Sequence, residues 1–260
     1  CIYKKTLYQE REHLLAHKMF GSLSQNPWWN GNGLSDFIIA TNGFDRYKLI
    51  ENKVKKSKIV TIGNPEYQLI YKNLKNKNNL KKKIINKYQF NPEKKLIIAA
   101  VPQWYEQGMV SLDDHLNEIK FYCDSLSNTQ ENILLSLHPR QIFEDYNHFQ
   151  KGNMKISKTP LSSIISCGDR FVSGISSTII WSTLIGIPTV VYDPFKINKN
   201  TFIKFKTVKI CQTKKGFSEN ISSFKLNKKS ITEDWKFLER HKVMRGDLSS
   251  KYNDLLSNFL

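Results

Sequence analysis

Three short polar motifs carry residue types that can hold a phosphate, and each directly follows an apolar run. Ser176-Ser177-Thr178 stands between Arg170-Phe-Val-Ser173 and a stretch of helical character that runs to about Ile185. A strand-to-helix turn leaves backbone N–H groups without partners, and the helix dipole adds partial positive charge there. Gly174 allows close backbone approach, and the hydroxyls supply further donors. The same serines are favoured helix caps, so residue type alone serves both readings equally. His138-Pro139-Arg140 follows Asn132-Ile-Leu-Leu-Ser-Leu137. An imidazole there can donate to a phosphate oxygen, Pro139 fixes the turn, and Arg140 either adds a charge-assisted contact or faces solvent.

The third motif, Pro102–Gly108, follows Leu96-Ile-Ile-Ala-Ala-Val101. Trp104 and Tyr105 can wall a donor site by stacking on a base, or Trp104 can cover the sheet edge. Glu106 is the remaining carboxylate at this position and the candidate catalytic group, although a loop glutamate commonly faces solvent. The other histidines, His13, His17, His115, His148 and His241, lie in polar helical segments and read as ordinary. With no D-x-D, no H-E-x-x-H and no clustered His/Cys set, no metal site and no cofactor are expected.

The elements that position these motifs alternate. Apolar strands are expected at 96–101, 132–137, 170–173 and 188–193, with helices from Ser111 to about Leu126, near 161–167 and from the Ser/Thr turn to Gly186. Ser111 caps the first of these, with Asp113 and Asp114 in its first turn. Continuous apolar strands interleaved with helices indicate an α/β, doubly wound parallel sheet, which binds ligands at the strands' carboxyl ends. Upstream, 7–20 reads as helix, 21–33 as loop, 36–40 and 58–62 as short strands, 44–50 as helix and 66–90 as a lysine-rich helical stretch. This gives a partial N-terminal domain and linker over 1–90, a Rossmann-like nucleotide-binding domain over 91–229 and a helical tail over 230–260.

The chain has 260 residues, 40% hydrophobic and 24% charged, enough for one large or two small domains. Fifteen Phe, eleven Tyr and five Trp exclude a disordered chain. No stretch approaches the ~20 apolar residues of a membrane-spanning helix. The net charge of +17 is uneven. Residues 52–95 carry 13 basic and 2 acidic side chains, and 196–260 carry 15 and 6, while 96–195 carry 6 and 10. The excess is either solvated helix surface or attraction to an anionic membrane surface. No zinc-finger, RNP-like or helix-turn-helix pattern points to nucleic acid.

Cys1, Cys123, Cys167 and Cys211 form no C-x-x-C pair, which favours a reducing compartment over a disulfide framework. The start at Cys1, without Met or a polar tether, reads as a trimmed piece of a longer chain.

His138-Pro139, Ser176-Ser177-Thr178 and Gly186-Ile-Pro-Thr-Val-Val-Tyr-Asp193 together resemble bacterial GT-B glycosyltransferases of surface-polysaccharide synthesis. The pattern is similar to the HP and S-S/T motifs of sialyltransferases and Kdo transferases, and to the nucleotide half of CDP-glycerol glycerophosphotransferases. The resemblance covers roughly residues 36–195, and Lys58–Pro65 resembles the end of the first GT-B domain. It implies that His138, Ser176, Ser177 and Thr178 hold the nucleotide phosphates, without metal. The implied donor is CMP- or CDP-linked, the acceptor is a glycan or lipid-linked glycan, and the protein is expected in the cytoplasm or peripheral on the inner face of the cytoplasmic membrane. The chain departs from the family in having too short a first domain and no Asp/Glu-Asp/Glu-Gly motif. Two other readings share these residues: an epimerase or hydrolase of the UDP-N-acetylglucosamine 2-epimerase type, and a non-catalytic nucleotide- or glycan-binding module.

Overall fold

The computed structural model describes residues 36–197, 202–241, 243 and 248–257. The expected helix at 7–20, the loop at 21–33 and Cys1 lie outside the described residues. Two units result: residues up to Pro65 together with those from Leu238 onward, and Glu66–Phe237. These divisions differ from the expected ones at 90/91 and 229/230. The lysine-rich stretch before residue 90 packs on the sheet that follows it, and the described residues from Leu238 onward group with those of the first unit.

In the first unit, β1 (Ile38–Ala40) and β2 (Ile59–Thr61) pair in parallel, with α1 (Gly43–Glu51) between them. Asn42 caps α1 by accepting the Asp45 amide at 3.0 Å. Ala40, Val54 and Ile59 form the small core. From the far end of the sequence, His241 stacks on Phe44 with ring centroids 4.1 Å apart. Tyr252, in α10 (Ser249–Ser257), donates its hydroxyl to the Gly63 carbonyl at 2.8 Å.

The second unit begins with two helices rather than one, α2 (Pro65–Lys75) and α3 (Lys77–Tyr88). Its sheet contains β3 (Leu96–Ala100), β4 (Asn132–Ser136), β5 (Met154–Ser157), β6 (Arg170–Ser173), β7 (Thr189–Tyr192) and β8 (Val208–Cys211). The spatial order is β5-β4-β3-β6-β7-β8, and every neighbouring pair is parallel. From β3 the chain winds outward through β4 to β5, then returns to β6 on the other side. The strand order therefore reverses between β3 and β6, which is the topological switch point.

Alternation along the strands divides the core into two layers. Ile97, Ala99 and Val101 pack with Ile119, Tyr122 and Leu126 of α4 (Leu112–Ser127) and with Phe217 and Ile221 of α8 (Lys214–Ser223). Leu96 and Ile98 face the opposite way, toward Ile70, Ile84 and Ile85 of α2 and α3 and toward Ile164 and Ile185. Two short helices, α5 (Phe143–Tyr146) and α6 (Leu161–Ile164), follow β4 and β5. Between β6 and β7 lies α7 (Ile179–Ile185), and α9 (Lys228–Arg240) follows α8. Asp169 ties the sheet's amino edge by accepting the Leu96 amide at 2.8 Å and the Lys81 ammonium. Gly186 ends α7 at φ 70°, where a Cβ would stand 3.0 Å from Ile231.

Candidate functional site at the carboxyl edge of the sheet

Three loops leave the carboxyl edge at the switch point, one each after β4, β3 and β6. The β3 loop closes on itself through Gln107 N–H to Gln103 O, Gly108 N–H to Tyr105 O and Met109 N–H to Trp104 O, at 3.1, 2.8 and 2.9 Å. Gly108 sits in the left-handed region at φ 67°. Ser111 then caps α4, accepting the Asp114 amide at 3.1 Å.

Trp104 does not offer its ring to a ligand. It is 3% exposed and makes edge contacts with His115, Tyr192 and Phe195. Of the two parts expected for Trp104, this burial agrees with packing, since the ring fills the core layer under α4. Tyr105 remains 47% exposed. Among the described residues, five of the eight exposed large apolar side chains are on the β3 and β4 loops or the first turns of α4: Tyr105, Met109, Leu112, Leu116 and Ile142.

In the β4 loop, the His138 amide donates to Gln141 Oε1 at 2.9 Å, and the Gln141 amide donates to His138 O at 2.8 Å. The Arg140 amide donates to His138 Nδ1 at 3.2 Å. An Nδ1 that accepts a hydrogen bond carries no proton, so the neutral imidazole has its proton on Nε2. His138 is exposed, and Pro139 with it; Arg140 is half-buried. The arrangement makes His138 a donor through Nε2.

The β6 turn differs in detail from a simple helix cap. Thr178 occupies the cap position of α7 without a side-chain cap bond. Its hydroxyl and amide both donate to Ser176 Oγ, at 2.9 and 3.3 Å. The amides of Ile179, Ile180 and Trp181 bond back to Ser176, Ser177 and Thr178 carbonyls at 3.2, 3.1 and 3.0 Å. Fewer amides are therefore left over than an uncapped α-helix would present, because the first turn tightens into i→i+3 bonds. Ser177 is exposed, and Ser176 and Thr178 are half-buried. A Cβ on Gly174 would meet Pro102 Cβ at 3.0 Å and Trp104 Nε1 at 3.6 Å, so this glycine permits two loops to touch.

The loops are fastened to one another. Gln141 Nε2 lies 3.0 Å from Pro102 O, 3.2 Å from Glu106 Oε1 and 2.9 Å from the Tyr146 hydroxyl. Tyr146 also donates to Glu106 Oε1 at 3.2 Å, and His115 Nε2 lies 3.3 Å from the same hydroxyl. Glu106 is thus drawn into an interior network rather than facing solvent. His115 is 2% exposed; burial holds its pKa below the usual value against the pull of Glu106. Burial, with the Glu106 charge, pushes the Tyr146 hydroxyl above its ordinary range.

Since β3 lies between β4 and β6, strands that stand roughly 9.5 Å apart at the usual spacing, the His138 and Ser/Thr motifs leave the sheet on either side of the β3 loop. A ligand touching both spans that loop. Four of the six buried side-chain polar atoms without a partner among the described residues belong to this edge: Gln103 Nε2, Glu106 Oε2, His115 Nδ1 and Ser173 Oγ. Buried polar atoms are nearly always paired, so this edge concentrates unsatisfied hydrogen-bonding capacity, with Glu106 Oε2 3.8 Å from His115 Nε2. Among the described residues, no group of three or more His, Cys, Asp or Glu is placed to hold a metal ion. No described helix is long and apolar enough to cross a membrane.

Solved structures share this fold at low sequence identity. The wall teichoic acid polymerase TagF superposes with a TM-score of 0.64 at 15% identity, over 99% of this chain and 62% of TagF. A TagF H444N structure soaked with CDPG gives 0.63 at 16% identity, over 93% of this chain and 59% of that one. UDP-GlcNAc 2-epimerase from Methanocaldococcus jannaschii, in complex with UDP-GlcNAc and UDP, gives 0.55 at 13% identity, over 83% and 64%. The chain thus spans about three fifths of the length of the TagF structures it matches. No protein-family model and no curated protein matches the sequence. The fold is the α/β, GT-B type expected from the motifs.

Sequence reading missed His115, Gln141 and Tyr146. His115 had a signal: it lines up at helical spacing with Ile119, Tyr122, Cys123 and Leu126, the buried face of α4. Gln141 and Tyr146 had none, because their partners come from a different loop.

Proposed function

We propose that the second unit binds a cytidine-nucleotide-activated donor at its carboxyl edge, and that the protein is a glycosyltransferase elongating a surface polymer. The observation that carries this reading is the assembly of three loops at the switch point, with His138 held as an Nε2–H donor on one side and the Gly174–Thr178 turn on the other. Donors aimed at the departing phosphate stabilise charge as it develops there. His138 and the Ser177 hydroxyl and amide take that part, with Arg140 adding charge. Glu106 serves the loops, since Oε1 already accepts from Tyr146 and Gln141. The acceptor is a glycan or lipid-linked glycan. The run of lysines over α2 and α3, with no acidic residue between Glu66 and Glu93, supports as part of this proposal an attraction to an anionic membrane surface.

The likeness to TagF favours a variant of this reading, in which the transferred group is a polyol phosphate from a CDP-linked donor. The two differ in the bond broken. Attack at the anomeric carbon releases CMP from a CMP-sugar or CDP from a CDP-sugar, whereas attack at the distal phosphorus of a CDP-polyol releases CMP. Separate incubation with each donor and acceptor, with identification of both the released nucleotide and the transferred group, separates them. Release of neither nucleotide, with tight binding of UDP instead, favours the epimerase-type reading that the UDP-GlcNAc 2-epimerase fold raises.

A further inference from the structure

We infer that Gln141 is a positioning residue, a latch that fixes the His138 loop on the β3 loop and thereby sets the direction and tautomer of the His138 ring; the functional part of this inference rests on the nucleotide-binding reading above. Every polar atom of the Gln141 side chain is engaged, and the engagements run in two directions. Oε1 accepts the His138 amide at 2.9 Å, closing the His138–Gln141 turn from the side-chain end. The Gln141 amide closes the same turn from the backbone end, donating to His138 O at 2.8 Å. Nε2 reaches the other way, to Pro102 O at 3.0 Å, the Tyr146 hydroxyl at 2.9 Å and Glu106 Oε1 at 3.2 Å.

A carboxamide suits this place because it offers an acceptor to the β4 loop and two protons to the β3 loop from one planar group. A glutamate would keep the acceptor, lose both protons and set a second carboxylate beside Glu106. An alanine would leave the Pro102 carbonyl and the Tyr146 hydroxyl short of a donor. The consequence reaches His138 through the turn: with the turn closed, the Arg140 amide meets Nδ1 at 3.2 Å, and the neutral ring's proton lies on Nε2. Pro102, held by the same latch, is the residue that Gly174 admits at close range. Gln141 thus connects all three motifs without being a ligand contact.

The test uses the whole chain, labelled with nitrogen-15, and reads the His138 ring directly. His138→Ala identifies its signals. In the wild type the neutral ring is expected to show well-separated nitrogen shifts, Nε2 protonated and Nδ1 bare. In Gln141→Ala the two shifts are expected to move toward the average of exchanging tautomers, and further in Gln141→Glu. The glutamate variant, close in size, covers the case in which alanine unfolds the chain. An unchanged shift separation in both variants overturns the latch.

Calorimetry with CMP then reads the functional consequence. Gln141→Ala is expected to weaken binding at least about threefold, and His138→Ala by about tenfold or more, as for a hydrogen bond to a charged group. The double variant is expected to bind no more weakly than His138→Ala alone, because Gln141 acts through His138. Multiplying losses, or wild-type affinity in Gln141→Ala, contradict the proposal. A wild-type chain that binds neither CMP nor CDP refutes the nucleotide reading, and the ring shifts alone then decide whether the latch exists.

Discussion

Replacing Gly174 by alanine probes the joint between the β6 turn and the β3 loop. The added Cβ would stand 3.0 Å from Pro102 Cβ and 3.2 Å from Pro102 Cγ, where an unstrained carbon pair sits at about 3.5–4.0 Å. One of the loops must retreat by several tenths of an ångström. Neither is free to do so, since the Gln141 amide holds the Pro102 carbonyl at 3.0 Å and Trp104 behind it is buried. Overpacking of this kind costs about 1–3 kcal/mol. The contact is tight without being impossible, which places the cost near the lower half, about 1–2 kcal/mol. For a domain of this size each kcal/mol lowers Tm by about 2–4 °C, so a fall of about 2–8 °C is expected. Thermal unfolding followed by fluorescence measures it, and CMP affinity measured in parallel should fall as the turn moves. Pro102→Gly introduced with Gly174→Ala removes the opposing Cβ and should recover part of the loss relative to Pro102→Gly alone. An unchanged Tm in Gly174→Ala would refute the claim that the two loops are packed against each other.

Other outcomes follow from the same geometry. Trp104→Ala should destabilise by about 3–5 kcal/mol, as for a buried large aromatic, which denaturant unfolding would show; a well-folded variant with weakened CMP binding alone would restore the base-stacking role. Burial lowers the His115 pKa, so the folded chain binds fewer protons there than the unfolded one. Stability from this group is therefore full above the unfolded value of about 6.5 and is lost as pH falls through it. Tm should fall more between pH 7.5 and 5.5 in the wild type than in His115→Gln, and equal slopes would contradict it. Sedimentation with anionic vesicles should be strong at low salt and vanish at high salt if the lysine-rich helices meet a membrane; no binding at low salt removes that role.

The central strands were legible because they are covered on both faces. Leu96-Ile-Ile-Ala99 and Asn132-Ile-Leu-Leu-Ser136 are unbroken buried runs. β5 and β8 escaped because they are the edges of the sheet: Met154-Lys-Ile-Ser157 alternates buried and half-buried residues, and Val208-Lys-Ile-Cys211 buries only its last. Such four-residue segments carry lysine on the open side and show no apolar run. The buried face of α4 carries His115 with Ile119, Tyr122 and Leu126, while Leu112 and Leu116 are exposed, since the face is chosen by what lies beneath it.

The candidate site was legible as three separate motifs and not as an assembly. His138, Ser176–Thr178 and Pro102–Gly108 announce themselves by following apolar strands. The order of those strands across the sheet, with β3 in the middle, is a tertiary fact that local sequence does not encode. Glu106 illustrates the cost: a lone loop carboxylate in the sequence becomes an interior acceptor only when Gln141 and Tyr146 arrive from the neighbouring loop.

The central claim is that this edge binds a cytidine nucleotide, and titration of the labelled chain with CDP while following backbone amide shifts tests it most directly. Saturable changes concentrated at Ser176–Thr178, His138–Gln141 and Gln103–Glu106, weaker with UDP, are the result expected. Saturable changes elsewhere with none at these three loops, or no change at millimolar CDP, would contradict it.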